Sequence, residues 1–306
     1  MSSEMISHPR GTWLDPNTGK LMDSPAFLRK IAEKQVVMLG ESHNIAEIHR
    51  WQVDTANYLH AYRLNMMMGF EMFPRRIQPV LDEWVDGHLT TEAFLEKVDW
   101  FSVWGFPPEI YLPLFHFCRQ QGVRILALSC YRELASRVGK EGWAAIPEDE
   151  RDGLPPNAPA LPRHKDYILS LTGGKIMKEG RVEKATQPSL ESEDGHPITG
   201  RFLRAQQTWG RAFACNMVHA INNAKKEGKE APLIVGIIGR GHLDYGFGTP
   251  HQLNSLGITD TAVLLSSEND CHNLEEINGI GAGIFRLDRV EAPIPIEKRE
   301  KKAASS

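Results

Sequence analysis

Val36-Val37-Met38-Leu39 is an apolar run that stops abruptly on Gly40-Glu41-Ser42-His43, with a helix-periodic stretch directly behind it. A short apolar run of this kind reads as a strand buried on both faces, the kind found in parallel sheets. The pattern recurs. Residues 64–70 end on Glu71, 123–129 on Cys130-Tyr131-Arg132, and 233–238 on Gly239-Arg240-Gly241-His242. Residues 262–265 read as a fifth strand and 283–287 as a sixth, at an edge. Between the strands lie helical stripes: Phe27, Leu28 and Ile31; Ile77, Val80, Leu81 and Trp84; Phe202, Ala205, Trp209, Phe213 and Met217.

Buried strands alternating with amphipathic helices imply an α/β fold, with a mostly parallel central sheet flanked by helices. Crossovers in such sheets are right-handed, so the strand carboxyl ends share one rim, and ligands bind in the crevice there. Residues 25–290 are expected to form one domain of this type. Residues 1–24 are polar and turn-rich, and read as a surface segment. Residues 147–199 are rich in Pro, Gly and charge and read as an insertion or lid, with a weak helix at 165–171. The last stretch, 291–306, reads as a solvated tail.

The chain has 306 residues, 41% hydrophobic and 24% charged, and a formal net charge of −4, which gives no reason to expect a nucleic-acid partner. Apolar windows are too short for a membrane helix, and no signal peptide or lipobox cysteine stands at the N-terminus, so a cytoplasmic location is expected. The four cysteines form no C-x-x-C pair and read as reduced thiols.

The chemistry gathers at the strand ends. Glu41, His43, Glu71 and His242 each follow an apolar run, where a polar group is costly unless it is used or paired. Carboxylates and imidazoles brought together can run acid–base chemistry, with His43 as base, Glu41 and Glu71 orienting it, and His242 as a ligand or oxyanion stabiliser. Glu41, His43 and His242 can equally hold a divalent transition metal. His49 and Gln52 fall on the following helix and either contribute to the site or hydrogen-bond a loop. Ser42 or Asn44 can cap that helix. Arg75, Arg76 and Arg240 either hold an anion or pair with the glutamates. The aromatic stretch from Trp100 to Pro108 reads first as a plug over the core and second as the wall of a flat ligand's pocket.

Leu39-Gly40-Glu41-Ser42-His43 with His49 and Gln52, Gly69-Phe70-Glu71-Met72-Phe73 with Gln78, and Tyr111-Leu112-Pro113-Leu114 together resemble the ChaN-like family of the haem-binding uptake, Tiki superfamily. Gly239-Arg240-Gly241-His242 and Gly248-Thr249-Pro250-His251-Gln252-Leu253 look like its closing motif. The resemblance implies an α/β fold and haem binding linked to iron uptake, storage or transfer. A tyrosine would be the haem ligand, with Tyr111, Tyr131, Tyr167 and Tyr245 as candidates, and a homodimer would enclose the haem. Related branches imply metal-dependent peptidases and Glu/His-dependent esterases. This chain departs from the family pattern at Gly210 after Trp209, and at Cys130 where asparagine is frequent.

Overall fold

The computed structural model describes residues 5–171, 175–178, 181–184, 197–288 and 293–294. The chain opens with β1 (Met5–Ser7), β2 (Trp13–Leu14) and β3 (Leu21–Met22), then α1 (Ser24–Ala32), which Asp23 caps by accepting from the Ala26 amide at 3.0 Å. The central alternation follows as β4 (Val36–Glu41), α2 (Ala46–Tyr62), β5 (Met66–Pro74) and α3 (Gln78–Val85). Next come α4 (Thr91–Lys97), α5 (Trp100–Val103), α6 (Leu112–Gln121), β6 (Arg124–Ser129) and α7 (Arg132–Glu141).

The insertion supplies α8 (Pro162–Leu171) and a hairpin of β7 (Lys175–Lys178) and β8 (Arg181–Lys184). Its acidic stretch around 191–195 lies outside the described residues. The long α9 (Pro197–Lys226) leads to β9 (Leu233–Gly239) and α10 (Thr249–Ser255). The chain then runs through β10 (Thr261–Ser267), β11 (Cys271–Asn273), α11 (Leu274–Ile277) and β12 (Gly283–Arg286).

Eight strands form the main sheet in the order β3-β2-β12-β10-β4-β9-β5-β6. Six of them, β12 through β6, run parallel. Alternation along each strand sends residues to opposite faces. Val37, Leu39, Met68, Phe70 and Ile237 pack under α1, α2, α3 and α6, whereas Val36, Met38, Ile234 and Ile238 meet Phe213, Met217 and Ile221 of α9. Each such side chain, when fully buried, contributes about 1.5–3 kcal/mol. The far edge is closed by Gln78, whose amide donates to Ile125 O at 2.7 Å and accepts from Ala127 N at 2.9 Å, so β6 does not present a bare ladder there.

Three expectations need correction. The stretch 291–306 is not solvated throughout, because Ile294 packs on the core beside α1 and α2. Residues 1–24 do not simply wrap the surface, because Trp13 and Leu14 are buried in the sheet. The Trp13 ring packs on Phe27 (5.1 Å), Phe285 (5.3 Å) and Trp51 (6.0 Å), an aromatic cluster that outweighs the polar composition around it. Strand β12 is internal rather than an edge, since β2 pairs antiparallel along its outer side. Among the described residues, no helix is long and apolar enough to cross a membrane.

Candidate functional site

Strand register brings the site together. β4 and β9 pair until Glu41 stands opposite Gly239, and β5 pairs β9 on its other side as far as Phe70 opposite Ile237. Three carboxyl ends therefore lie side by side. Glu71 Oε2 accepts from the Gly239 amide at 2.9 Å. His43 Nδ1 donates to Glu41 Oε1 at 2.9 Å and stands 3.4 Å from Glu71 Oε1. Glu41 is buried and fully used: Tyr111 OH donates to Oε1 at 2.7 Å and Gln52 Nε2 to Oε2 at 3.1 Å. Behind it, His49 turns both ring nitrogens to acceptors, Gln52 Oε1 at 3.0 Å and the His43 carbonyl at 3.2 Å. One donor atom each from Glu41, His43 and Glu71 lies within 4.8 Å of the others.

The cluster divides its charge unevenly. Burial pushes the Glu41 carboxyl up, but the His49 and His43 rings and the Tyr111 hydroxyl outweigh it and hold Glu41 below the usual carboxylate range. Burial raises Glu71, and the charge of Glu41 adds to that rise, against the pull of His43 and the Gly239 amide. Burial opposes a charged His43, yet Glu71 and Glu41 lift its ring to about 9. His242 goes the other way: burial, with His43 and His164 nearby, pushes it down to about 3, so it is neutral.

A group whose folded pKa is raised stabilises fully below its unfolded pKa and loses that contribution as pH rises through the folded one. His43 therefore predicts a stability that declines between about pH 6.5 and about pH 9. Urea unfolding across that window is expected to show this slope in the parent chain and a flatter one in His43→Gln.

A cavity of about 450 Å³ opens over the cluster. His43 and Glu71 form part of its floor, Trp104, Trp209 and Phe213 supply apolar wall, and Tyr131, Arg76, Arg132 and His242 belong to its polar lining, with Asp99 and Glu133 beside them. The Arg76 guanidinium stacks on the Tyr131 ring at 5.0 Å. His242 packs against Phe213 at 5.2 Å and Trp209 at 6.3 Å. The aromatic stretch divides between the core and the cavity. Trp100 is fully buried against Phe73, Tyr111 and Phe115, whereas Trp104 and Phe106 stand 4.8 and 5.2 Å from the His43 ring.

Other expected site residues sit elsewhere. His242 shares the cavity with His43 but lies outside the three-residue donor cluster. Tyr111 is fully buried with its hydroxyl on Glu41 and does not line the cavity, and His49 and Gln52 are likewise supports behind Glu41. Arg240 turns away from the site and pairs with Asp244 at 3.0 Å. Tyr167 also donates to Asp244, and Tyr245 to the Glu276 carbonyl, so neither lines the cavity. Neither Ser42 nor Asn44 caps α2, whose N-cap is Ile45 with no side-chain bond. Arg132 and Phe213 join the lining from positions that the sequence pattern does not mark as site residues. Arg132 directly follows Tyr131 at a strand end and could have been noticed, whereas Phe213 looked like any member of a core stripe.

The model of the family described as "Haem-binding uptake, Tiki superfamily, ChaN" matches residues 27–253. Among solved structures, ChaN of Campylobacter jejuni, described with cofacial haem binding, is similar over 89% of this chain and 95% of its own, at 16% identity and a TM-score of 0.63. That is a likeness of fold. An erythromycin esterase mutant in its open conformation is similar over 83% of this chain and 76% of its own, at 13% identity and a TM-score of 0.41. A toxin effector domain from Vibrio vulnificus covers 87% of this chain and 38% of its own, at 12% identity and a TM-score of 0.44. No curated protein matches the sequence.

Proposed function

The chain belongs to the ChaN family of the haem-binding uptake, Tiki superfamily, and on that premise we propose that it binds haem in the cavity at the strand ends, serving uptake, storage or transfer in the cytoplasm. One observation carries the reading. The cavity combines indole and phenyl walls, two guanidinium groups and a phenol, which suits a flat apolar macrocycle bearing two carboxylates and an iron that needs a donor. Tyr131 is the residue to hold the iron, and Arg76 and Arg132 the residues to meet the carboxylates. His43 faces the carboxylates, with Nδ1 on Glu41 at 2.9 Å and 3.4 Å from Glu71, so it is not the residue assigned to the iron. His242, being neutral, is the second donor the cavity offers. Bound haem would supply a redox-active iron; the protein's part is to bind, orient and shield it. The cofacial haems of the Campylobacter relative support a homodimer closing over the cavity mouth.

Titrating the purified chain with hemin is expected to give a saturable, shifted Soret band. Tyr131→Phe should weaken binding at least tenfold, an effect of about 1.4 kcal/mol or more. A flat titration of the parent chain contradicts the proposal.

The converging donor atoms of Glu41, His43 and Glu71 support a second reading, a metal-dependent or Glu/His-dependent hydrolase. Ester and peptide panels with manganese, cobalt or zinc test it. Turnover that survives His43→Ala would remove that role.

A further inference from the structure

The loop that carries His43 is fastened through its carbonyls. Ser42 O accepts from Ile45 N at 3.3 Å and His43 O from His49 at 3.2 Å, while the Tyr111 hydroxyl, whose hydrogen goes to Glu41, stands 3.3 Å from His43 O. Asn44 O accepts from Ile294 N at 2.9 Å, a residue 250 positions away. Asn44 answers with its side chain, Nδ2 donating to Ile294 O at 3.3 Å, so the two residues are tied by one backbone bond and one side-chain bond.

The local sequence favours this pairing. Pro293-Ile294-Pro295 has a single amide hydrogen, because proline has none, and Ile294 gives it to the Asn44 carbonyl. A following proline biases Ile294 to extended backbone, the form that offers N–H and C=O to a neighbour. The Ile294 side chain packs on the core cluster that includes α1 and α2. Asn44 stands one residue before the N-cap position, which Ile45 holds, and its side-chain amide donates to Ile294 rather than to any part of α2.

We propose that Ile294 is a positioning residue for His43: by clasping Asn44 it fixes the 42–45 loop, and so keeps the imidazole between Glu41 and the cavity. The proposal rests on His43 belonging to the binding site, but not on haem being the ligand.

The test is side-chain and amide NMR on the full, haem-free chain. In the parent, the His43 Nδ1–H held by Glu41 should give a slowly exchanging signal. Ile294→Pro deletes the N–H while keeping an apolar side chain. It is expected to lose that signal and to speed amide exchange at residues 44–45 at least tenfold, with β4 and β9 protection unchanged. Ile294→Val, which keeps the clasp, should behave as the parent. Should the proline variant fail to fold, Asn44→Ala removes the side-chain half of the clasp and carries the same expectation at smaller size. Retention of the His43 signal and of loop protection in the clasp-breaking variant overturns the proposal. So does a loss of protection spread evenly through the sheet, which would be a plain stability effect. Failure of hemin to bind would overturn the haem reading and leave these signals unaffected.

Discussion

Glu41→Ala is expected to destabilise the chain by about 3–5 kcal/mol, the usual cost of removing one partner from a buried charged network. Glu41 is 2% exposed and its two oxygens receive Tyr111, His43 and Gln52, with the His49 ring 3.5 Å away. Alanine would leave the buried Tyr111 and Gln52 donors without their acceptor, each with its own desolvation cost, and would free His43 Nδ1 from its partner. Glu41→Gln keeps the volume and one acceptor oxygen, so it should cost clearly less. Chemical denaturation of the three chains under one buffer measures the series. A Glu41→Ala change of under about 1 kcal/mol would mean that the network is not what holds this rim together.

Gly239→Ala is expected to separate ligand binding from folding. A Cβ at Gly239 would lie 2.8 Å from His43 Cε1, 3.1 Å from His43 Nε2 and 3.3 Å from Glu71 Oε1. The ring has little room to retreat, because Glu41 holds Nδ1 at 2.9 Å and Trp104 and Phe106 stand against it. The added methyl must therefore push the imidazole toward the cavity or break its bond to Glu41. Overpacking of this kind costs about 1–3 kcal/mol, which a domain of this size can carry. Hemin affinity is expected to fall at least tenfold while the chain stays folded, read from parallel Soret titrations and thermal melts. Unchanged affinity in a folded Gly239→Ala chain would take His43 out of the binding surface.

The strand ends were legible because each apolar run stops where its sheet stops, and a parallel sheet puts those stops on one rim. Depth was not legible. Glu41 and His43 are two residues apart and do meet, but which of them faces the cavity depends on Tyr111, just before α6, and Gln52 of α2. Arg240 and His242 part company because the chain turns as a 3-10 helix after Gly239, sending one to Asp244 and the other to Phe213. The two-residue strands β2 and β3 are too short to show a period, so the burial of Trp13 and the inner place of β12 were hidden as well. At Gly210 an added Cβ would lie 3.4 Å from the Thr249 amide; the glycine lets α9 and α10 approach closely.

Support and contact are thus assigned to different side chains. Tyr111, His49 and Gln52 hold Glu41, Glu41 holds His43, and His43 with Tyr131, Arg76, Arg132 and His242 faces the space a ligand would fill. Gallium protoporphyrin, a diamagnetic stand-in for haem, titrated into the isotope-labelled chain and followed by NMR, tests that assignment most directly. Saturable shifts are expected at Tyr131, Trp104, Trp209, His43 and the Gly239 amide, while a second groove elsewhere on the molecule, lined by Trp51, Asp54 and Tyr58 of α2 and by Phe285, stays unmoved. Shifts centred on that groove, or no saturable shift anywhere, would contradict it.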